Sequence, residues 1–170
     1  GGDPRAQVWA AAFREGERVM GRCAGAFSEY ALMDAREAIA MPASLSFVEA
    51  AAVPLVFLVV HDMLVTQGRL RAGEWLLVTG VSSGVGVASL QLGKVLGARV
   101  IGTSGSSEKL AALVPFGLDV ALRSRAADFA PAVREATEGH GVDLIVNTVG
   151  GSVFAENVRA LAFEGRLATV

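Results

Sequence analysis

The sequence predicts an α/β protein: a doubly wound parallel sheet with helices on both faces, preceded by a smaller β unit. Three observations predict it. After Gly73, short apolar runs alternate with segments of helical period. A glycine-rich turn lies between the first of those runs and the helix that follows it. Before about residue 50 the texture differs, with short β-like runs separated by turn residues.

Composition narrows the class. Apolar residues make up 52% and charged residues 19%, with 20 glycines, so the chain can bury a core and is not disordered. Fifteen basic and 17 acidic residues are scattered along it with no basic block, which excludes nucleic acid as a partner. A single cysteine, Cys23, excludes an intramolecular disulfide and a cysteine-rich zinc site and suits the cytoplasm, the expected location. The longest apolar stretch, Ala50 to Val60, contains Pro54 and ends at His61 and Asp62, short of the ~20 residues that span a bilayer. It reads as a buried helix, and no membrane partner is expected. Because the chain begins Gly-Gly-Asp-Pro and stops at Val170 after a strand-like run, it is expected to be a fragment.

Taken in order, Arg18-Val19-Met20 and the alternating run Phe27 to Met33 read as strands of the small β unit. Ser46 with Glu49 three residues on forms a capping box, and the chain stays helical to about Gln67, with Pro54 able to start a second helix. Strands follow at Trp75 to Thr79, Arg99 to Thr103, Val120 to Leu122, Leu144 to Thr148 and Arg166 to Val170. Helices run at about Gly84 to Leu96, Ser107 to Phe116, Asp128 to Thr137 and Val153 to Phe163.

The turn Thr79-Gly80-Val81-Ser82-Ser83-Gly84-Val85-Gly86 joins the first of these strands to its helix. Small residues let backbone N–H groups approach a pyrophosphate, and the helix N-terminus favours its charge. Gly84 and Gly86 meet that need. A glycine pair alone is a common structural turn. The second strand, ending at Thr103, completes the roughly thirty-residue βαβ unit of a dinucleotide fold.

An NAD site usually offers an Asp or Glu to the ribose about twenty residues past the glycines. Here that place reads Thr103-Ser104-Gly105-Ser106-Ser107-Glu108-Lys109, where hydroxyls and a lysine suit a 2′-phosphate, so NADP(H) is expected over NAD(H). In the competing reading Ser106 or Ser107 caps the next helix and Lys109 lies on a solvated face. Glu108 turned inward would serve a ribose, and Arg123 is either a second phosphate ligand or a surface charge.

The turn also matches the short-chain dehydrogenase motif, but nearly eighty residues precede it with a text of their own. Gly16-Glu17-Arg18-Val19-Met20-Gly21, Gly25-Ala26-Phe27-Ser28-Glu29-Tyr30, Met41-Pro42 through Pro54, and Gly73-Glu74-Trp75-Leu76-Leu77-Val78 occur in that order, followed by Gln91-Leu92-Gly93-Lys94, Leu96 to Ile101 and Gly141-Val142-Asp143. In these motifs the chain resembles the medium-chain dehydrogenase/reductase superfamily, specifically its zinc-free quinone oxidoreductase branch, from about Phe13 onward. The resemblance implies that residues 1–50 are the tail of a GroES-like substrate domain and its connecting segment. Residues 51–170 would be a Rossmann-type NADP-binding domain lacking its last strand. Val81 departs from the family's usual Ala or Gly, and Val59 from a threonine near the nicotinamide.

The resemblance further implies hydride transfer from NADPH to a quinone or activated enone, with no protein nucleophile and no metal. Ser83, Gly84 and Val85 would face the pyrophosphate; Thr103, Ser104, Ser107 and Lys109, with Arg123, the adenosine end; Asn147 and Val149 the ribose and nicotinamide. Asn147 reads equally well as a strand-end turn former. Cys23, His61 and His140 are too dispersed for a zinc site. The alternatives are a non-catalytic NADP(H)-binding or sensor protein, an enoyl-reductase module of a larger synthase, or a short-chain dehydrogenase. A homo-oligomer is expected at full length.

Overall fold

The computed structural model describes residues 13–124 and 128–169, so residues 1–12 of the first expected domain and the expected strand end at Val170 lie outside it. The chain divides into two compact units at Val56 and Phe57, later than the 50/51 boundary expected from the sequence.

In the first unit β1 (Val19–Met20) pairs antiparallel with β2 (Ile39–Ala40). The run Phe27 to Met33 is turns and bends rather than a strand. Its alternation finds no partner among the described residues, and Phe27, Tyr30 and Leu32 stand at 91% exposure or more there. The α1 helix (Phe47–Ala51) begins on the expected capping box. Ser46 Oγ accepts the Glu49 N–H at 3.2 Å, and the Glu49 carboxylate accepts the Ser46 N–H at 2.8 Å. Pro54 then opens α2 (Pro54–His61), where its missing N–H costs nothing. The helix loosens into a π segment, Asp62–Gln67, which ends where expected.

The second unit is built on a sheet of order β5-β4-β3-β6-β7, all parallel, with helices on both sides. Its strands are β3 (Trp75–Thr79), β4 (Arg99–Ser104), β5 (Val120–Arg123), β6 (Val142–Asn147) and β7 (Leu161–Thr169). The helices are α3 (Gly84–Val95), α4 (Ser107–Leu113), α5 (Ala130–Ala136) and α6 (Phe154–Ala160). Leu76, Leu77 and Val78 on central β3 are fully buried, as are Ile101, Leu144 and Ile145 on its neighbours. Burying each such side chain contributes about 1.5–3 kcal/mol. That burial on both faces is why these strands read as continuous apolar runs.

The end of the chain differs in detail. The last helix stops at Ala160, not Phe163, and β7 begins at Leu161 opposite Val142. Pairing then skips and resumes with Leu144 opposite Arg166, so Ala162 to Gly165 bulge out of the ladder. Glu164 sits at φ 59° and Phe163 is 94% exposed. Regular pairing therefore starts at Arg166, the expected first residue of the strand.

Strand order reverses at β3. Strands β4 and β5 lie on one side of it, β6 and β7 on the other, which opens a crevice at the carboxyl ends of β3 and β6.

Candidate functional site

The glycine turn sits at that crevice. Gly80 adopts φ +71°, and a Cβ on it would stand 2.6 Å from Thr148 Oγ1, so no side chain fits there. The Thr103 hydroxyl accepts the Gly80 N–H at 3.2 Å, and the Thr103 carbonyl accepts the Val81 N–H at 2.9 Å. Ser83 caps α3 by accepting the Gly86 N–H at 3.0 Å. The N–H groups of Gly84 and Val85, at the first two helical positions, have no intrahelical acceptor. Gly84 is exposed, with nothing within 4 Å of a Cβ built on it. Open space over two donors at a helix start fits a phosphate. Gly86 serves another purpose than expected: it is buried, and its Cβ would lie 2.4 Å from the Gly80 carbonyl, so it lets the helix close on the turn.

Val81, the bulky departure, is accommodated from the opposite side. It is fully buried, and a Cβ on Gly102 of β4 would meet its Cγ1 at 2.7 Å. The missing side chain at 102 makes the room that the larger one at 81 fills.

A cavity of about 300 Å³ adjoins the turn. Ser82, Thr103, Ser104 and Ser124 give it hydroxyls, Phe129, Val149 and Val153 an apolar wall, and Gly80 and Gly105 the remaining surface. No carboxylate is among these described residues. Ser82 and Ser104 hydroxyls lie 3.0 Å apart. Ser124 Oγ donates to Asp128 at 2.6 Å.

Of the residues expected from sequence, Ser83, Gly84 and Val85 form the turn, and Thr103, Ser104 and Val149 line the cavity. Ser107 and Lys109 are exposed on α4 and do not line it. Ser106 is the cap, accepting the Lys109 N–H at 3.2 Å. Glu108 is exposed on the same helix. Arg123 is exposed at the end of β5, in register with Ser104. Asn147 is buried, and its amide is engaged within the protein. Its Oδ1 accepts from the Thr79 hydroxyl at 3.1 Å and from the N–H groups of Val149 and Gly150 at 3.1 and 3.0 Å, while Nδ2 donates to the Gly150 carbonyl at 3.1 Å. It shapes the loop after β6, as a strand-end turn former does.

Sequence reasoning missed Ser82, Gly105, Ser124, Phe129 and Val153. Ser82 was within the turn already singled out. Phe129 and Val153, apolar residues at helix starts, carried no signal distinguishing them from core.

Among the described residues no three His, Cys, Asp or Glu side chains come together to hold a metal. Cys23 belongs to the first unit, and His140 Nε2 lies 3.2 Å from Asp143 Oδ1. No helix among the described residues is long and apolar enough to cross a membrane.

A parallel sheet reversing at β3, with a phosphate-fitting turn and a cavity at the crevice, is the architecture of a dinucleotide-binding domain. The family model described as zinc-binding dehydrogenase matches residues 84–170. The chain is 34% identical over 161 residues, 93% of its length, to a highly reducing polyketide synthase of Gibberella zeae, of which it spans 6%. A probable oxidoreductase from Mycobacterium abscessus superposes with TM-score 0.84 at 34% identity, covering 92% of this chain and 50% of that one. The CurK enoyl reductase superposes at 0.76 and 31% identity, covering 81% and 41%. The chain belongs to the medium-chain dehydrogenase/reductase-type oxidoreductases, which use a nicotinamide cofactor.

Proposed function

We propose that the chain is the NADPH-binding part of a zinc-independent enoyl reductase module, reducing an activated enone such as an enoyl thioester. A quinone is the alternative acceptor of the same electronic class. The observation that carries the cofactor reading is the hydroxyl-lined cavity beside the open glycine turn, with no carboxylate among its described lining residues. Likeness to polyketide synthases and to an enoyl reductase favours a synthase module over a free-standing quinone reductase. The zinc-independent part rests on the donor set, one cysteine and two dispersed histidines.

Bound NADPH would supply hydride at its nicotinamide C4. The chain's own residues bind and orient. The Gly84 and Val85 N–H groups, beside Ser83, take the pyrophosphate; Thr103, Ser104, Ser124 and Arg123 face the adenosine ribose; Ser107 and Lys109 add hydrogen-bonding and positive character at its rim. Asn147 holds the loop that presents Val149 to the nicotinamide side.

Titration by cofactor fluorescence tests this. NADPH should bind more tightly than NADH, and Lys109→Glu should weaken NADPH about three- to tenfold with little effect on NADH. Equal affinities for both cofactors would sink the 2′-phosphate assignment.

A further inference from the structure

Resting on the reading that the cavity takes the adenosine end of a dinucleotide, we propose that Glu156 is its positioning residue. Glu156 ties the start of α5 to α6 and so holds Phe129 and Val153 as the apolar wall.

Helix α5 has no side-chain cap of its own. Phe129 occupies the cap position with a side chain that cannot accept a hydrogen bond, and Pro131 in the first turn has no N–H to satisfy. The Ala130 N–H instead crosses to α6, donating to Glu156 Oε2 at 2.9 Å over a sequence separation of 26 residues. Glu156 is 4% exposed, and its other oxygen accepts from Arg159 Nη1 at 2.6 Å. A carboxylate this buried is tolerated because both oxygens are satisfied, one by an amide at a helix start and one by a guanidinium. The Ala130 amide first, then Arg159, holds its pKa below the ordinary carboxylate range.

The placement of the bond gives it a role. It lands on the residue next to Phe129, and Glu156 lies in the first turn of α6, the helix that Val153 opens as its cap residue. Phe129 and Val153 belong to one buried cluster and both line the cavity. Arg134 fastens the far end of the same helix pair, donating to the Arg159 and Leu161 carbonyls at 3.1 and 2.9 Å. Glu156 is the tie at the cavity end. Phe129 is 3% exposed, so it bounds the cavity as a packed apolar wall, and a displaced wall changes the shape that an adenosine must fit.

The test titrates the protein with NADPH, 2′,5′-ADP and reduced nicotinamide mononucleotide. Glu156→Ala should weaken both adenosine ligands about tenfold and leave the mononucleotide unchanged. Glu156→Gln keeps an acceptor for the Ala130 N–H and should restore affinity to within about threefold. In a Phe129→Leu background Glu156→Ala should add nothing further, because both act on one wall. Should the alanine variant not fold, Glu156→Asp, one methylene short of the Ala130 amide, takes its place in every arm. Unchanged adenosine affinity after Glu156→Ala, or an equal loss for all three ligands, overturns the positioning role while leaving the nucleotide site standing. A wild-type protein that binds neither NADPH nor 2′,5′-ADP overturns the nucleotide reading and the wall with it.

Discussion

Leu76, Leu77 and Val78 on β3 are wholly buried, whereas Phe27, Tyr30 and Leu32 in the first unit stand at 91% exposure or more. The two regions are similarly rich in apolar residues, and the difference lies in what their strands pair with. In the second unit each strand finds parallel neighbours and a helix layer. In the first, β1 and β2 are two residues each, and charged pairs at the surface, Arg22 with Glu37 and Arg36 with Asp34, are prominent among its contacts. Apolar sequence becomes core only where a ladder places it between layers.

Truncating one side chain in each region should separate the two most clearly. Leu77→Ala should cost about 2–5 kcal/mol in urea unfolding, and Leu32→Ala no more than about 0.5 kcal/mol. Comparable losses would mean that the first unit's apolar side chains are buried in the native protein. Fit inside the second unit is sharpened by Val81 and Gly102. Gly102→Ala should destabilise by about 1–3 kcal/mol, and adding Val81→Ala should recover part of that loss. Strict additivity of the two would show that they do not share one volume.

The smallest effect is in pH. Glu156 has a folded-state pKa below its unfolded value, so its contribution is present above the unfolded carboxylate range and lost as pH falls through the lower folded value. The stability gap between wild type and Glu156→Gln should therefore hold at neutral pH and shrink below about pH 4. A gap that persists undiminished to pH 3 would show that ionisation is not what Glu156 contributes. Asp34 in the first unit is pulled down to about 2 by the Arg36 side chain and backbone, yet it is exposed, and Asp34→Asn should leave the curve where it is.

Much of the second unit was legible because local pattern and tertiary environment agree there. Continuous apolar runs gave β3, β4 and β6, and the glycine turn announced its place between strand and helix. Legibility failed where the deciding partner is distant. Phe27 to Met33 alternates like a strand but has no strand to pair with among the described residues. The bulge in β7 depends on the register of β6. Asn147 reads as a polar residue at a strand end, and only the fold shows that its amide is engaged by Thr79, Val149 and Gly150. Glu156 reads as a surface helix residue, and its partner is the Ala130 amide on another helix.

The engaged amide of Asn147 also bears on the thermodynamics of ligand capture. A loop that became ordered only around its ligand would charge that lost conformational freedom against affinity, at about 1–2 kcal/mol for each residue fixed. Residues 147 to 150 are instead held from within by one side chain at the end of a central strand, so their ordering is already complete when folding ends. Whatever enters the neighbouring cavity meets a preorganised rim, and more of its contact energy remains available for telling one cofactor from another.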